Sequence, residues 1–149
     1  MPDGFLALVL HAHLPYLRHP EGKEHLEERW LFEAVTECYL PLLKVLEGLV
    51  ADGVDFRLTI SLSPPLLAMF TDPLLMERYG KYLDALVELG EKEVRRTARL
   101  PEFHPLALFY LENFLEMKRA FYEDYGGNVV GGFQSLAASG KVELITTTA

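Results

Sequence analysis

The sequence predicts an α/β fold built on parallel strands, and three observations carry that expectation. Short apolar, β-branched runs recur at Phe5–Leu10, Asp55–Leu62 and Val142–Thr148. Between them lie long stretches with apolar residues at three- and four-residue steps, the period of amphipathic helices. The first two runs end abruptly in polar residues and proline: His11, His13 and Pro15 after the first, Ser61, Ser63 and Pro64 after the second. Parallel strands joined by crossover helices deliver their polar side chains at one end of a sheet, where α/β sheets and barrels bind ligands.

Length and composition narrow the class. The 149 residues suffice for one domain with a real core, and half of them are hydrophobic. A formal net charge of −8 argues against nucleic acid or an anionic membrane as partner. One cysteine, Cys38, excludes an internal disulfide framework, and its helical setting predicts inert core packing. Met1-Pro-Asp-Gly4 lacks the basic start of a signal peptide, and no run reaches the length of a transmembrane helix, so the expected location is the cytoplasm. Asn113, Asn128 and Gln134 are the whole complement of side-chain amides, and Glu, Leu and Arg are plentiful, which leans towards a thermophilic source.

Taken in order, Phe5–Leu10 reads as a strand buried on both faces. His11 and His13 are two apart, so on a continuing strand they share a side. They are candidates for touching a ligand or a metal, or for being satisfied polar groups in a turn, and the pattern alone does not choose. Leu14 to Glu28 is a charged connection carrying Arg18, His19, Glu21, Lys23, Glu24, His25, Glu27 and Glu28, expected to be a solvated surface loop for most of these charges. Trp30 to Leu49 is a helix with Leu31, Ala34, Val35, Cys38, Leu42, Val45, Leu46 and Leu49 on one face. Pro41 should kink or split it, and Gly48 or Gly53 should stop it. Trp30, beside the loop, is either an anchor or a platform for the flat face of a sugar.

After the second strand, Leu66–Phe70 predicts one helical turn. Asp72 caps the next helix with Pro73 at its first position. That helix carries Leu75, Tyr79, Tyr82, Leu83, Leu86 and Leu89, and Glu91–Thr97 extends it. His104-Pro105 opens another, with Leu108, Leu111, Phe114 or Leu115, Met117, Phe121 and Tyr122 on its buried side, closed by Gly126-Gly127. Val129–Ser139 is a shorter helix capped by Gly140. Three parallel strands leave edges open and helix faces unburied. Residues 1–149 therefore read as the first part of a larger α/β domain of barrel type, an incomplete catalytic domain with its first three strands and their helices. Its open sheet edge favours self-association.

His11-Ala-His-Leu-Pro-Tyr16 resembles the first signature region of glycoside hydrolase family 57. The wider set Leu8-Val-Leu-His-Ala-His-Leu-Pro-Tyr-Leu-Arg-His-Pro-Glu21, Trp30-Leu-Phe-Glu-Ala-Val-Thr-Glu37, Tyr39-Leu-Pro-Leu-Leu43 and Arg57-Leu-Thr-Ile-Ser-Leu-Ser-Pro-Pro65 is similar to the 1,4-α-glucan branching enzymes of that family. The resemblance implies a seven-stranded (β/α) barrel and a retaining reaction on α-1,4-glucans. A Glu nucleophile and an Asp general acid/base serve an oxocarbenium-like transition state, and a sugar 6-hydroxyl captures the intermediate to form α-1,6 branches of a glycogen-like polymer. Both carboxylates are expected beyond residue 149, so no catalytic residue is assigned here. His11 and His13 would line the sugar subsite nearest the scissile bond, with Tyr16 supporting that wall and Trp30 a further candidate contact. No cofactor and no metal are implied. Glu33 and Glu37, four apart on one helix, read as helix-surface groups rather than a catalytic pair. Other family activities (4-α-glucanotransferase, amylase) share this first region. A metal-dependent hydrolase holding zinc through His11 and His13, as amidohydrolase-type barrels do, is opposed by Pro15-Tyr16 and the later segments. A small non-enzymatic interaction protein is the remaining alternative.

Overall fold

The computed structural model describes residues 4–21 and 25–148. Two of the charged positions expected in the long loop, Lys23 and Glu24, fall outside the described residues, as do residues 1–3, Gly22 and Ala149. Three parallel strands form one sheet in the order β1 (Val9–Ala12), β2 (Leu58–Leu62), β3 (Val142–Ile145). The register pairs His11 with Ser61 and Ala12 with Leu62, and Ser61 in turn with Ile145. Sheet order follows chain order, each pair of neighbouring strands being joined by a long helical crossover.

The first strand corrects one expectation. It starts at Val9, not Phe5, and it is not buried on both faces: Phe5 is 96 % exposed, Leu6 91 % and Val9 58 %. β1 is an edge strand with only β2 beside it, so an apolar run alone did not secure burial. The second and third strands are likewise shorter than their sequence patterns, because hydrogen-bonded pairing covers only part of each run.

The helix expected from Trp30 begins earlier and is built in three parts. These are α1 (Leu26–Ala34), a π-helical turn (Val35–Tyr39) and α2 (Leu40–Ala51). The Leu40 N–H donates to the Val35 carbonyl, a five-residue step. Pro41 has no N–H and its ring would crowd the carbonyl four residues back. Widening the preceding turn relieves that conflict, so the helix runs through instead of breaking. The extra residue in the turn also rotates the buried face. Val35, Tyr39, Leu40, Leu43 and Leu46 are buried, whereas Val45 is 60 % exposed and Cys38 is exposed rather than packed in the core. Gly53, at φ 71°, ends α2 in the left-handed conformation, with its N–H donating to the Val50 carbonyl and that of Val54 to Leu49.

α3 (Pro64–Phe70) follows β2 directly and buries Leu66, Met69 and Phe70. α4 (Pro73–Thr97) starts at Asp72, whose carboxylate accepts from the N–H groups of Leu74 and Leu75 at 2.9 and 3.1 Å. Leu75, Tyr79, Leu83 and Val87 form its buried stripe, while Leu89 is exposed. α5 (His104–Arg119) returns antiparallel along α4 and passes into a second π-turn (Ala120–Asp124). Its expected buried side is right in part. Met117 and Phe121 are buried and Leu111 and Phe114 half-buried, but Leu108, Leu115 and Tyr122 are exposed by 39, 47 and 48 %. A helix resting on a single partner buries only a narrow stripe, and α4 is that partner here. α6 (Val129–Ala138), capped by the Asn128 side chain on Gly131 N–H, packs Val129, Phe133 and Leu136 against α2 and β3.

The core sits between the sheet and α1, α2, α3, α4 and α6. Tyr79 lies at its centre, its hydroxyl 3.1 Å from that of Thr36, which itself donates to the Phe32 carbonyl. Burial pushes the Tyr39 hydroxyl up to about 12, so it stays neutral throughout the working range.

Close approach of α4 and α5 depends on Gly90. A Cβ there would lie 3.3 Å from the backbone Cα of Leu111 and 3.1 Å from its Cδ1. Gly→Ala inside a helix ordinarily gains about 1 kcal/mol from propensity. Here backbone must move to admit the methyl group, and overpacking costs about 1–3 kcal/mol. Gly90→Ala is therefore expected to lower stability in urea denaturation, against the helix-propensity trend.

Candidate functional site

His11 lies within β1 and His13 just past its end. Both are exposed, on the same side of the chain, with ring centroids 5.9 Å apart and planes within 10° of parallel. The two-residue spacing on an extended backbone produces this pairing. Ser61 stands beside His11 across the ladder and is buried, as is Ser63 at the end of β2. The Ser63 hydroxyl is buried without a hydrogen-bond partner. The pair thus forms a solvent-facing ledge of four ring nitrogens at the carboxyl end of the sheet, able both to donate to and to accept from hydroxyl groups. Among the described residues no third His, Cys, Asp or Glu joins them in a cluster of metal-binding dimensions.

Tyr16 and Trp30 are each about half exposed. Among the described residues no ring contact links either of them to the histidine ledge. Trp30 projects from the side of α1 opposite Leu31 and Phe32, which are buried. Glu33 and Glu37, farther along, face the Tyr82 hydroxyl of α4, which burial first and then the Glu33 charge push up. They form the surface groups expected of them. A cavity of about 300 Å³ lies elsewhere, between the ends of β2 and β3 and α6, lined by Leu62, Phe133, Leu144 and Thr146 among others.

The segment after Tyr16 is held far more firmly than its charged sequence suggests. Leu17 is buried, its N–H directed at Met69 Sδ at 3.2 Å. The Arg18 guanidinium bonds Asp72 at 2.5 Å. The His19 N–H donates to Glu28 Oε1 at 2.9 Å. Glu28, expected to be solvated, is only 1 % exposed, and α1 starts early enough to include it. Arg78 Nη1 of α4 donates to both Glu28 oxygens, at 2.6 and 2.8 Å, and to the His19 carbonyl at 2.9 Å. One buried ion pair therefore fixes both backbone polar groups of His19 and ties the loop to two helices. The spacing signals the burial of Glu28, which shares a helix face with Leu31 and Phe32, but not its partner.

Residues 7–149 match the model of glycosyl hydrolase family 57. The chain belongs to that family. It is 31 % identical over 146 residues, 98 % of its length, to a 1,4-α-glucan branching enzyme of Thermococcus kodakarensis, and spans 21 % of that relative. Among solved structures it is similar to the α-amylase AmyC of Thermotoga maritima, with 45 % identity and a TM-score of 0.88, covering 94 % of this chain and 26 % of that one. It is equally similar in fold to a family 57 branching enzyme of Pyrococcus horikoshii, with 35 % identity and a TM-score of 0.88, covering 96 % of this chain and 26 % of that one. The α/β architecture with parallel strands is thus that of family 57 enzymes. The chain spans about a fifth to a quarter of the length of these relatives.

Two expected outcomes follow from the loop anchor. Glu28→Ala removes the buried carboxylate that accepts from both Arg78 and the His19 N–H, and losing such charge-assisted hydrogen bonds costs about 1.5–3 kcal/mol. Urea denaturation reads that loss. Asp72 supplies a pH dependence. Burial raises its carboxyl, but the N–H groups of Leu75 and Leu74 and the Arg18 guanidinium outweigh burial and hold it below its ordinary value. A lowered folded-state pKa adds stability that is complete above the unfolded value of about 4 and is lost as pH falls through the folded one. Asp72→Asn, which keeps a capping oxygen, should show a shallower loss of stability than the parent when melts are compared from pH 5 down to pH 2.

Proposed function

We infer that this chain provides part of the glucan-binding wall of a retaining 1,4-α-glucan branching enzyme of family 57. His11 and His13 are the residues that touch sugar hydroxyls. The single observation that carries the reading is their parallel, solvent-facing arrangement at the carboxyl end of the sheet. Sugar rings present rows of hydroxyls that both donate and accept, and two imidazoles side by side match that demand. Tyr16 and Trp30 extend the wall with half-exposed aromatic faces, which suit the apolar faces of pyranose rings. Likeness to branching enzymes over nearly the whole chain supports the activity class.

The likeness to an α-amylase gives the second reading, hydrolysis. Both reactions begin with the same attack on a glycosidic bond and differ in the acceptor, a sugar hydroxyl or water. The catalytic carboxylates of this proposal are not Glu33 and Glu37, which sit against Tyr82 on the surface of the α1–α2 helix. The 149-residue chain assayed by itself is therefore proposed to be inactive.

An iodine-stain assay on amylose, run with a reducing-end count, tests both parts. The isolated chain is expected to leave the stain unchanged. The enzyme that carries this chain is expected to fade the stain while reducing ends stay nearly constant. His11→Ala and His13→Ala should each slow it by about two- to tenfold, since one hydrogen bond to a sugar hydroxyl is worth about 0.5–1.5 kcal/mol. Reducing ends that rise in step with fading would replace branching by hydrolysis. Rates untouched by either substitution would remove the histidine ledge from the site.

A further inference from the structure

We propose that His19, His25 and Glu27 form a binding site for a transition-metal cation of the zinc class, separate from the His11–His13 ledge. One ligating atom from each of the three lies within 4.8 Å of the others. The imidazoles of His19 and His25 are stacked, with centroids 4.2 Å apart and planes tilted by 18°. Two nitrogens and a carboxylate oxygen are a donor set that zinc, cobalt and nickel accept and that magnesium and calcium do not favour.

What distinguishes this cluster from a chance grouping is the state of the remaining ring nitrogens. His25 Nε2 is engaged with the Glu21 carbonyl at 2.5 Å, which leaves Nδ1 as the free lone pair. His25 occupies the N-cap position of α1 yet makes no capping hydrogen bond, so its ring is not consumed by the helix. His19 Nδ1 is buried, lacks a hydrogen-bond partner, and lies 3.6 Å from Glu28 Oε1. Its Nε2 is then the nitrogen available to a cation. Metal-bound histidines characteristically direct the other ring nitrogen to a carbonyl or a carboxylate; His25 does so already, and His19 Nδ1 faces the Glu28 carboxylate without yet bonding it. A cation on His19 Nε2 fixes the ring proton on Nδ1 and makes it a stronger donor, so that a small approach to Glu28 Oε1, now 3.6 Å away, would satisfy this buried atom.

The scaffold is fixed on one side and adjustable on the other. The His19 backbone is held through both its N–H and its carbonyl by the Glu28–Arg78 pair. His25 and Glu27 belong to the first turn of α1, and their side chains reach solvent. Tetrahedral zinc needs donors about 3.3 Å apart, given bond lengths of about 2.0–2.2 Å. The two imidazoles turn out of their stacked arrangement and the donors close by about 1.5 Å on binding, with three protein ligands and one position left to water. The cation closes the loop after Tyr16 onto the start of α1.

Zinc titration by calorimetry, with cobalt titration followed by visible absorption, tests this on the chain as it stands. One equivalent is expected to bind, with the absorption of four-coordinate cobalt, and EDTA reverses it. His25→Ala and Glu27→Gln are each expected to weaken binding by more than about tenfold, with melting curves in EDTA matching the parent. The double variant His11→Ala/His13→Ala is expected to bind as the parent does. Absence of saturable binding at one equivalent overturns the proposal. So does binding that survives both His25→Ala and Glu27→Gln, or that disappears with the His11/His13 double variant.

Discussion

The buried pair of Glu28 and Arg78 is the constraint on which the arrangement of this chain depends. Taking two charges out of water is expensive, and their attraction recovers that expense only when remaining lone pairs and protons are also satisfied. Here they are. The carboxylate takes Arg78 and the His19 N–H, and the guanidinium adds the His19 carbonyl. The pair stabilises little by its own attraction. Its effect is positional: it holds His19 against α1 and α4, and Leu17 and Arg18 reinforce that placement from the neighbouring residues. The polypeptide leaving the histidine ledge is therefore rigid where its composition suggested a solvated loop.

The two π-turns show the same logic on a smaller scale. Each inserts one residue into a helix where a straight α-helix would meet a conflict or misdirect a face. The first accommodates Pro41 and turns Tyr39, Leu40 and Leu43 inwards. The second lies between the exposed α5 and the turn at Gly126 and Gly127, both with positive φ, and it brings Ala120 and Phe121 into the core. Phe121 then meets Tyr79 edge-on at 4.8 Å.

Much of this was legible in the sequence. Alternation and β-branching located β2 and β3, and parallel order followed from the long helical connections. Asp72-Pro73 marked the start of α4 because a carboxylate cap and a proline at the first position have separate physical reasons to be there. The histidine ledge was visible as a two-residue spacing at a strand end. What failed did so for identifiable reasons. Periodicity assumes 3.6 residues per turn, so the π-turn misplaced Cys38 and Val45. It also assumes that an apolar face finds a partner, which Phe5, Leu6 and Leu108 do not among the described residues. The role of Glu28 was hidden because its partner lies fifty positions away in sequence. Charge spacing along one segment carries no information about such a partner.

The sheet order has a kinetic consequence. Every strand pair joins residues far apart in sequence: about fifty positions for β1 with β2, and 84 for Thr59 with Glu143 across β2 and β3. Closing such segments costs chain entropy before any ladder forms. The α4–α5 hairpin, by contrast, is assembled from neighbours in sequence and needs no distant partner to begin. Assembly of this chain is thus expected to start in its helices and to finish at the sheet, so the strand ends that carry His11 and Ser61 are among the last parts to acquire their native geometry.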